Sequence, residues 1–265
     1  MTADVRELVL HRELLRNFVV RDLRGRYKGS ALGILWSLAS PVLMLVVYSV
    51  AFSVILRVGA TDGDYAISLM AAFLPWTFLA TSVQFGATAL LANAALISKV
   101  YFPREVLPLS LTTANLVNMG LALLFFVPFA LVTRGADPWA LLAAVPVTAA
   151  FFLFVVGLVL LASVLTVYFR DLEFLLSIGL TAWFFLTPVV YSEEFYANDA
   201  VPDLAGQVLR FNPALPFIEA YRDVFYRVET PSATRIGACL VIGTVTFLGS
   251  YAVFNRLKRN IAEEL

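Results

Sequence analysis

One cysteine, one histidine and no charge inside any long apolar run: these scarcities narrow the 265-residue chain before a motif is read. A lone Cys239 excludes an internal disulfide, and with His11 as the sole histidine a Cys/His metal site within one chain is disfavoured. No G-x-x-x-x-G-K-[ST] stretch occurs, so the chain has no P-loop with which to cradle ATP. No internal repeat or low-complexity tract is visible. Nor does the N-terminus read as a signal peptide. About thirty charge-rich residues precede the first apolar run, and that run exceeds the length of a signal h-region. The first span is therefore expected to be retained.

What remains is hydrophobic. Apolar residues make up 60% of the chain and the mean hydropathy is +0.84, whereas soluble domains hold roughly 45–50% apolar residues. Six uncharged segments follow one another: 31–56, 66–98, 106–133, 139–169, 174–190 and 236–255. A helical span needs roughly 20 apolar residues at about 1.5 Å each. Five segments exceed this, and the fifth, 174–190, is near the minimum and ends at Thr187-Pro188. Pro75, Pro128 and Pro146 fall inside spans and predict kinks or breaks. The expected fold is an all-α integral membrane protein with six transmembrane helices.

Charge sets its orientation. With the N-terminus inside, the cytoplasmic pieces 1–30, 99–105, 170–173 and 256–265 hold 13 of the 19 Lys and Arg. The opposite side holds six, four of them in one long loop that the positive-inside rule discounts. Both termini are expected in the cytoplasm. Residues 1–30 read as a cytoplasmic interfacial unit and 31–265 as the six-span domain. Within the first, Val5, Leu8, Val9, Leu15, Val19 and Leu23 share one helical face, with Arg6, Glu13, Asn17, Arg21 and Arg24 elsewhere. Such a pattern predicts an amphipathic helix on the inner leaflet. A basic tail that only enforces topology is the alternative.

The outer segment 191–235 is more patterned than a plain loop. A short helix is expected over 202–211, and Asn212-Pro213 reads as a cap followed by the first helical position. Phe217, Ile218, Tyr221, Val224 and Phe225 share a face, with Glu219, Arg222 and Asp223 opposite. Two short re-entrant outer helices between spans five and six fit this better than a flexible linker. An outer cap without a gating role remains open.

Ion-coupled transporters keep ionisable groups at membrane depth, where they cost several kcal/mol. Here the spans offer only hydroxyls and amides such as Thr81, Gln84, Asn93, Asn115, Asn118 and Thr187. A proton- or sodium-driven mechanism is disfavoured. Asp171 and Glu173, or Glu193 and Glu194, lack a His or Lys partner for acid–base work and read better as caps or solvated loop residues. No catalytic residue is assigned. A passive pore, or a permease driven by another subunit, is left. The 98–105 turn, with Tyr101 and Phe102 between Lys99 and Arg104, suits a short helix docked on a protein. Interfacial anchoring by the same aromatics is the alternative.

RYKGSALGILWSLASP (26–41), ISKVYFPREVLPLS (97–110), YFRDLEFLL (168–176) and FNPALPFIEAYRDVFY (211–226) resemble, in this order, the membrane subunit of polysaccharide-exporting ATP-binding cassette transporters. This is the type-2 permease family that moves O-antigen, capsule, teichoic acid or galactan. Ser40 stands where that family's first block usually has Asn. The resemblance covers nearly the whole chain. It implies a homodimer in the bacterial cytoplasmic membrane with two copies of a separate ATPase, which would carry the ATP and Mg, and a lipid-linked polysaccharide as substrate. No cofactor is expected on this chain and no nucleic acid partner. The resemblance implies that Lys99, Val100, Tyr101, Phe102, Arg104, Glu105, Arg170 and Asp171 receive the ATPase motion. It implies an aromatic path between subunits, for which Tyr48, Phe52, Trp183, Phe184 and Phe185 are candidates, since aromatic faces stack on sugar C–H faces. The outer gate would involve Phe217, Tyr221 and Phe225. A small-lipid or drug exporter of the same architecture, and an ATP-independent channel or scaffold, are the other readings.

Overall fold

The structure is a computed structural model that describes residues 12–27, 65–100, 102–135, 137–191 and 211–258, with isolated positions at 36, 39, 43, 44, 46, 47, 50 and 261. Apart from those isolated positions and Phe211, the expected first span and the expected helix over 202–211 lie outside the described residues, as do Tyr48, Phe52 and Tyr101.

Long uncharged runs cannot leave backbone polar groups open to lipid, so they coil into helices. All regular elements among the described residues are helical. They are α1 (Arg12–Tyr27), α2 (Tyr65–Ala87), α3 (Ala94–Ile97), α4 (Val106–Arg134), α5 (Pro138–Tyr168), α6 (Leu172–Leu186), α7 (Leu215–Arg222) and α8 (Ala233–Leu257). A π-helical turn, Asp223–Arg227, continues α7. Helices α2, α4, α5 and α8 are each long and apolar enough to cross a bilayer. Helix α6 has 15 residues, or about 22 Å of helix, short of a bilayer core of about 30 Å.

The hydrophobic run over 66–98 is not one helix. Helix α2 stops at Ala87, and a 3-10 turn (Leu91–Asn93) and then α3 follow. The short helix expected at 98–105 thus lies just before it, at 94–97. Prolines 75, 128 and 146 sit inside continuous helices, so no break occurs at any of them. Hydroxyls inside the helices turn back on their own backbone: Thr81 donates to Thr77 O and Thr187 to Trp183 O. Two amides, Asn115 and Gln84, reach across instead. Asn115 Nδ2 donates to Ser82 Oγ at 3.0 Å, joining α4 to α2.

Small residues set the closest pair. Gly157 on α5 would bring a Cβ to 3.0 Å from the Phe247 backbone, and Gly243 on α8 would drive one into the Ala150 carbonyl. That intimacy makes α5 and α8 the most extensive helix pair. Two ends of the bundle can then be told apart. At the near end Phe18 of α1 packs on Phe102 with centroids 6.3 Å apart, Tyr168 donates to Leu257 O, and Lys258 pairs with Glu105. At the far end Thr230 bonds Asp137, the Arg134 guanidinium lies over the Tyr226 ring, and Tyr65 donates to Val190 O.

Candidate functional site

Helix α7 starts two residues later than the sequence suggested. Leu215 is its first residue and Pro216, not Pro213, occupies the first turn. Asn212 still organises the entry, because its Oδ1 accepts from Ala214 N at 3.0 Å. From there the chain rises through the bundle. Phe217 lies against Phe151 and Phe154, with centroids at 5.0 and 5.2 Å. Phe154 is about 24 Å along α5 from its first residue, near mid-length. Tyr221 meets the Thr148 hydroxyl at 2.8 Å, and Phe225 meets Phe126 edge-on at 5.8 Å. All three expected gate residues are buried, at 0%, 1% and 5% exposure.

The opposite face of α7 is buried as well. Glu219, Arg222 and Asp223 are 1%, 2% and 6% exposed. They survive burial because each is paired. Arg222 bonds Glu219 at 2.8 Å, Arg227 bonds Glu219 at 2.9 Å and Asp223 at 2.6 Å, and Arg235 of α8 also pairs with Asp223. Burial works against the charge of Arg227, but Glu219 and Asp223 more than offset it and its pKa lies above the ordinary value. Arg222 further donates to Val189 O at 2.9 Å and Ser68 O at 3.5 Å, tying α7 to α2 and to the segment leaving α6. The turn ends at Val228, whose φ of 58° is left-handed and strained for a β-branched residue. Sequence reading missed this network. Its signal was Arg222 three residues after Glu219 and Arg227 four after Asp223; Arg235, twelve residues from Asp223 on another helix, had none.

Of the candidate path aromatics on α6, Trp183 and Phe184 pack inward rather than away from the bundle. Trp183 is edge-on to Trp76 at 5.7 Å and to Phe154 at 6.5 Å, and donates its Nε1 to Asn212 Oδ1 at 2.8 Å. Phe184 tilts on Trp76 at 5.7 Å. Phe185 alone of the three is exposed, at 65%.

The near-end candidates also divide. Lys99, Val100, Arg170 and Asp171 are exposed, as are Ser98 and Phe169 beside them. Phe102 is buried on Phe18. Arg104 donates to Lys258 O, and Glu105, 4% exposed, takes the Lys258 ammonium. Those three residues therefore knit the 98–105 turn to α1 and the end of α8, and leave Lys99 and Val100 as its free surface. Asp171 sits at the N-cap position of α6 without a side-chain capping bond.

The sequence profile of the ABC-2 type transporter family matches residues 13–226. The chain is 31% identical over 261 residues to the O-antigen export system permease protein RfbA of Myxococcus xanthus, covering 98% of each. It is 32% identical over 262 residues to the protein of the same name from Klebsiella pneumoniae, covering 96% of this chain and 95% of that one. Four apolar helices of spanning length and a match of this extent make the chain a multi-pass membrane protein that belongs to the ABC-2 type transporter family.

Proposed function

We propose that the chain is the membrane subunit of an ATP-driven exporter that moves a lipid-linked polysaccharide of the O-antigen class across the bacterial cytoplasmic membrane. The end-to-end likeness to O-antigen export permeases carries this reading. A drug or small-lipid exporter could share the architecture, but those relatives favour the polysaccharide. In this reading two copies of the chain form the pore, and two copies of a separate ATPase bind ATP and Mg. The ATPases dock at the near end on Lys99, Val100, Arg170 and Asp171, which is the cytoplasmic side and holds both termini. Phe185 contributes to the sugar path, and α7 is a re-entrant gate helix at the outer end.

The reading includes six crossings, which the connectivity of the described helices supports. Helix α1 belongs to the near end through Phe18, whereas Tyr65 at the start of α2 bonds Val190 at the far end. The described helices α1 and α2 thus lie toward opposite ends of the bundle, which supports a crossing between them. For the fifth crossing, about 22 Å of α6 is extended by Thr187–Tyr191, up to about 3.3 Å per residue, as far as Tyr65. Residues 1–30 then form an interfacial unit and 31–265 the six-span domain.

The test is reconstitution of export. Expressed with its ATPase in cells that assemble the lipid-linked polymer but lack their own exporter, the chain should bring polysaccharide to the surface. A P-loop lysine substitution in the ATPase should abolish it. Surface polymer unaffected by that substitution, or none despite assembled complex and accumulated precursor, refutes the proposal.

A further inference from the structure

Helix α6 is anchored unlike its neighbours. Leu180 is the one buried position among its fifteen residues. It leaves the exposed turn Phe169–Asp171 at the near end, touches α2 through Gln84 Nε2 to Glu173 O at 3.4 Å, and finishes mid-bundle with Trp183 against Trp76 and Phe154. There one side chain joins it to α7. Asn212 Nδ2 donates to Leu186 O at 3.1 Å and to Thr187 Oγ1 at 2.8 Å, while Oδ1 accepts from Trp183 Nε1 and from Ala214 N.

A carboxamide has two N–H donors and two acceptor lone pairs, and all four are used here. Ordering the entry of α7 needs only the bond from Ala214 N. The other three are directed at the last turn of α6. Asn212 is 7% exposed, so bulk water is poorly placed to replace any of them. A shift of either helix without the other would strand buried donors and acceptors on both. Arg222 to Val189 O ties the same two parts together again at the other end of α7.

We infer that Asn212 is a positioning residue that makes α6 and α7 move as one lever, carrying displacement of the 169–171 turn to the gate side chains Phe217, Tyr221 and Phe225. This rests on the proposed roles of that turn and of α7. Nucleotide-driven motion enters at the exposed turn, travels along a helix with little to hold it sideways, and leaves through a junction that cannot slip.

The experiment uses the complex with its ATPase in liposomes, in a Cys239→Ser, Phe225→Cys background, with ATP inside and a membrane-impermeant maleimide outside. In this background ATP should accelerate labelling of the cysteine. Asn212→Asp keeps the acceptor for Trp183 and Ala214 but removes both donors to α6. Trp183→Phe keeps ring packing and removes the third bond. Both variants should hydrolyse ATP within about twofold of the parent, while the ATP-dependent acceleration and the polymer exported per ATP fall about tenfold and about threefold respectively, the range that coupling substitutions reach. Trp183→Phe carries the test alone if Asn212→Asp does not assemble. Parental acceleration and export per ATP in the variants would overturn the inference, as would hydrolysis and export falling together, the mark of mere structural support. No ATP response in the parent would overturn the gate reading, and the inference with it.

Discussion

Glu219→Leu should be among the most damaging substitutions in the chain, and more damaging than removing Glu219 and Arg222 together. In the native arrangement two guanidinium groups share Glu219: Arg222, 2% exposed, at 2.8 Å and Arg227, 29% exposed, at 2.9 Å. Removing the carboxylate leaves Arg222 buried with only the Val189 and Ser68 carbonyls for company. An uncompensated buried charge of this kind costs about 3–5 kcal/mol. Arg222→Met is milder. Glu219 keeps Arg227, and the main loss is the donor to Val189 O, about 1–3 kcal/mol for an unsatisfied buried carbonyl. The double substitution removes both buried charges and spares the pairs of Asp223 with Arg227 and Arg235. Apolar replacement of a buried pair is often neutral or better, so the double variant should recover about 2 kcal/mol relative to Glu219→Leu. Heating detergent-solubilised protein and following the loss of monodisperse material gives the order: Glu219→Leu least stable, Arg222→Met and the double variant above it. A double variant as unstable as Glu219→Leu, or worse, would mean that the pair is not an isolated buried couple, and the reasoning fails.

Gly243→Ala should cost about 1–3 kcal/mol by overpacking α8 on the Ala150 carbonyl and lower the yield of folded protein, whereas Gly237→Ala and Gly249→Ala, which meet open space, should match or exceed wild type. Val100→Asp should lose co-purification with the ATPase at unchanged yield of the chain, while Phe102→Ala should lower the yield itself, because its ring packs on Phe18 within the same chain; the reverse pattern in a pull-down with parallel yield measurement would reassign both. The purified chain freed of ATPase should show no nucleotide binding by equilibrium dialysis, since it has no P-loop.

Hydropathy made the long helices legible, because 18 or more uncharged apolar residues leave few alternatives. It could not find the stop at Ala87. The run to Ser98 carries no charge, and the chain turns there with Asn93 Nδ2 satisfying Ala89 O, a local bond without a hydropathy signature. Periodicity found the apolar face of α7 but could not say what covers the polar one. A helical wheel sorts side chains by polarity alone, whereas here that side is covered by α2, α8 and the exit of α6, and each of its charges is paired. Trp183 and Phe184 were drawn toward the path by their chemistry alone; a run of three aromatics cannot all face one way on a helix, and Trp76 sits where two of them point.

In the proposed gating role the two faces of α7 would act on opening in different ways. Phe217, Tyr221 and Phe225 are held by apolar burial, worth about 1.5–3 kcal/mol for a phenylalanine-sized side chain, and that energy is lost if the helix swings into a hydrated pore. The ion pairs behave otherwise. Water entering an open gate solvates Glu219, Arg222 and Asp223, and what their mutual attraction loses hydration largely returns, because burial had already removed that hydration. Aromatic packing on Phe151 and Phe154 would therefore set how hard the proposed gate is to open. The charge network contributes mainly direction. With strained Val228 just beyond it and Arg235 at the root of α8, it gives the helix one position to return to when the pore dries.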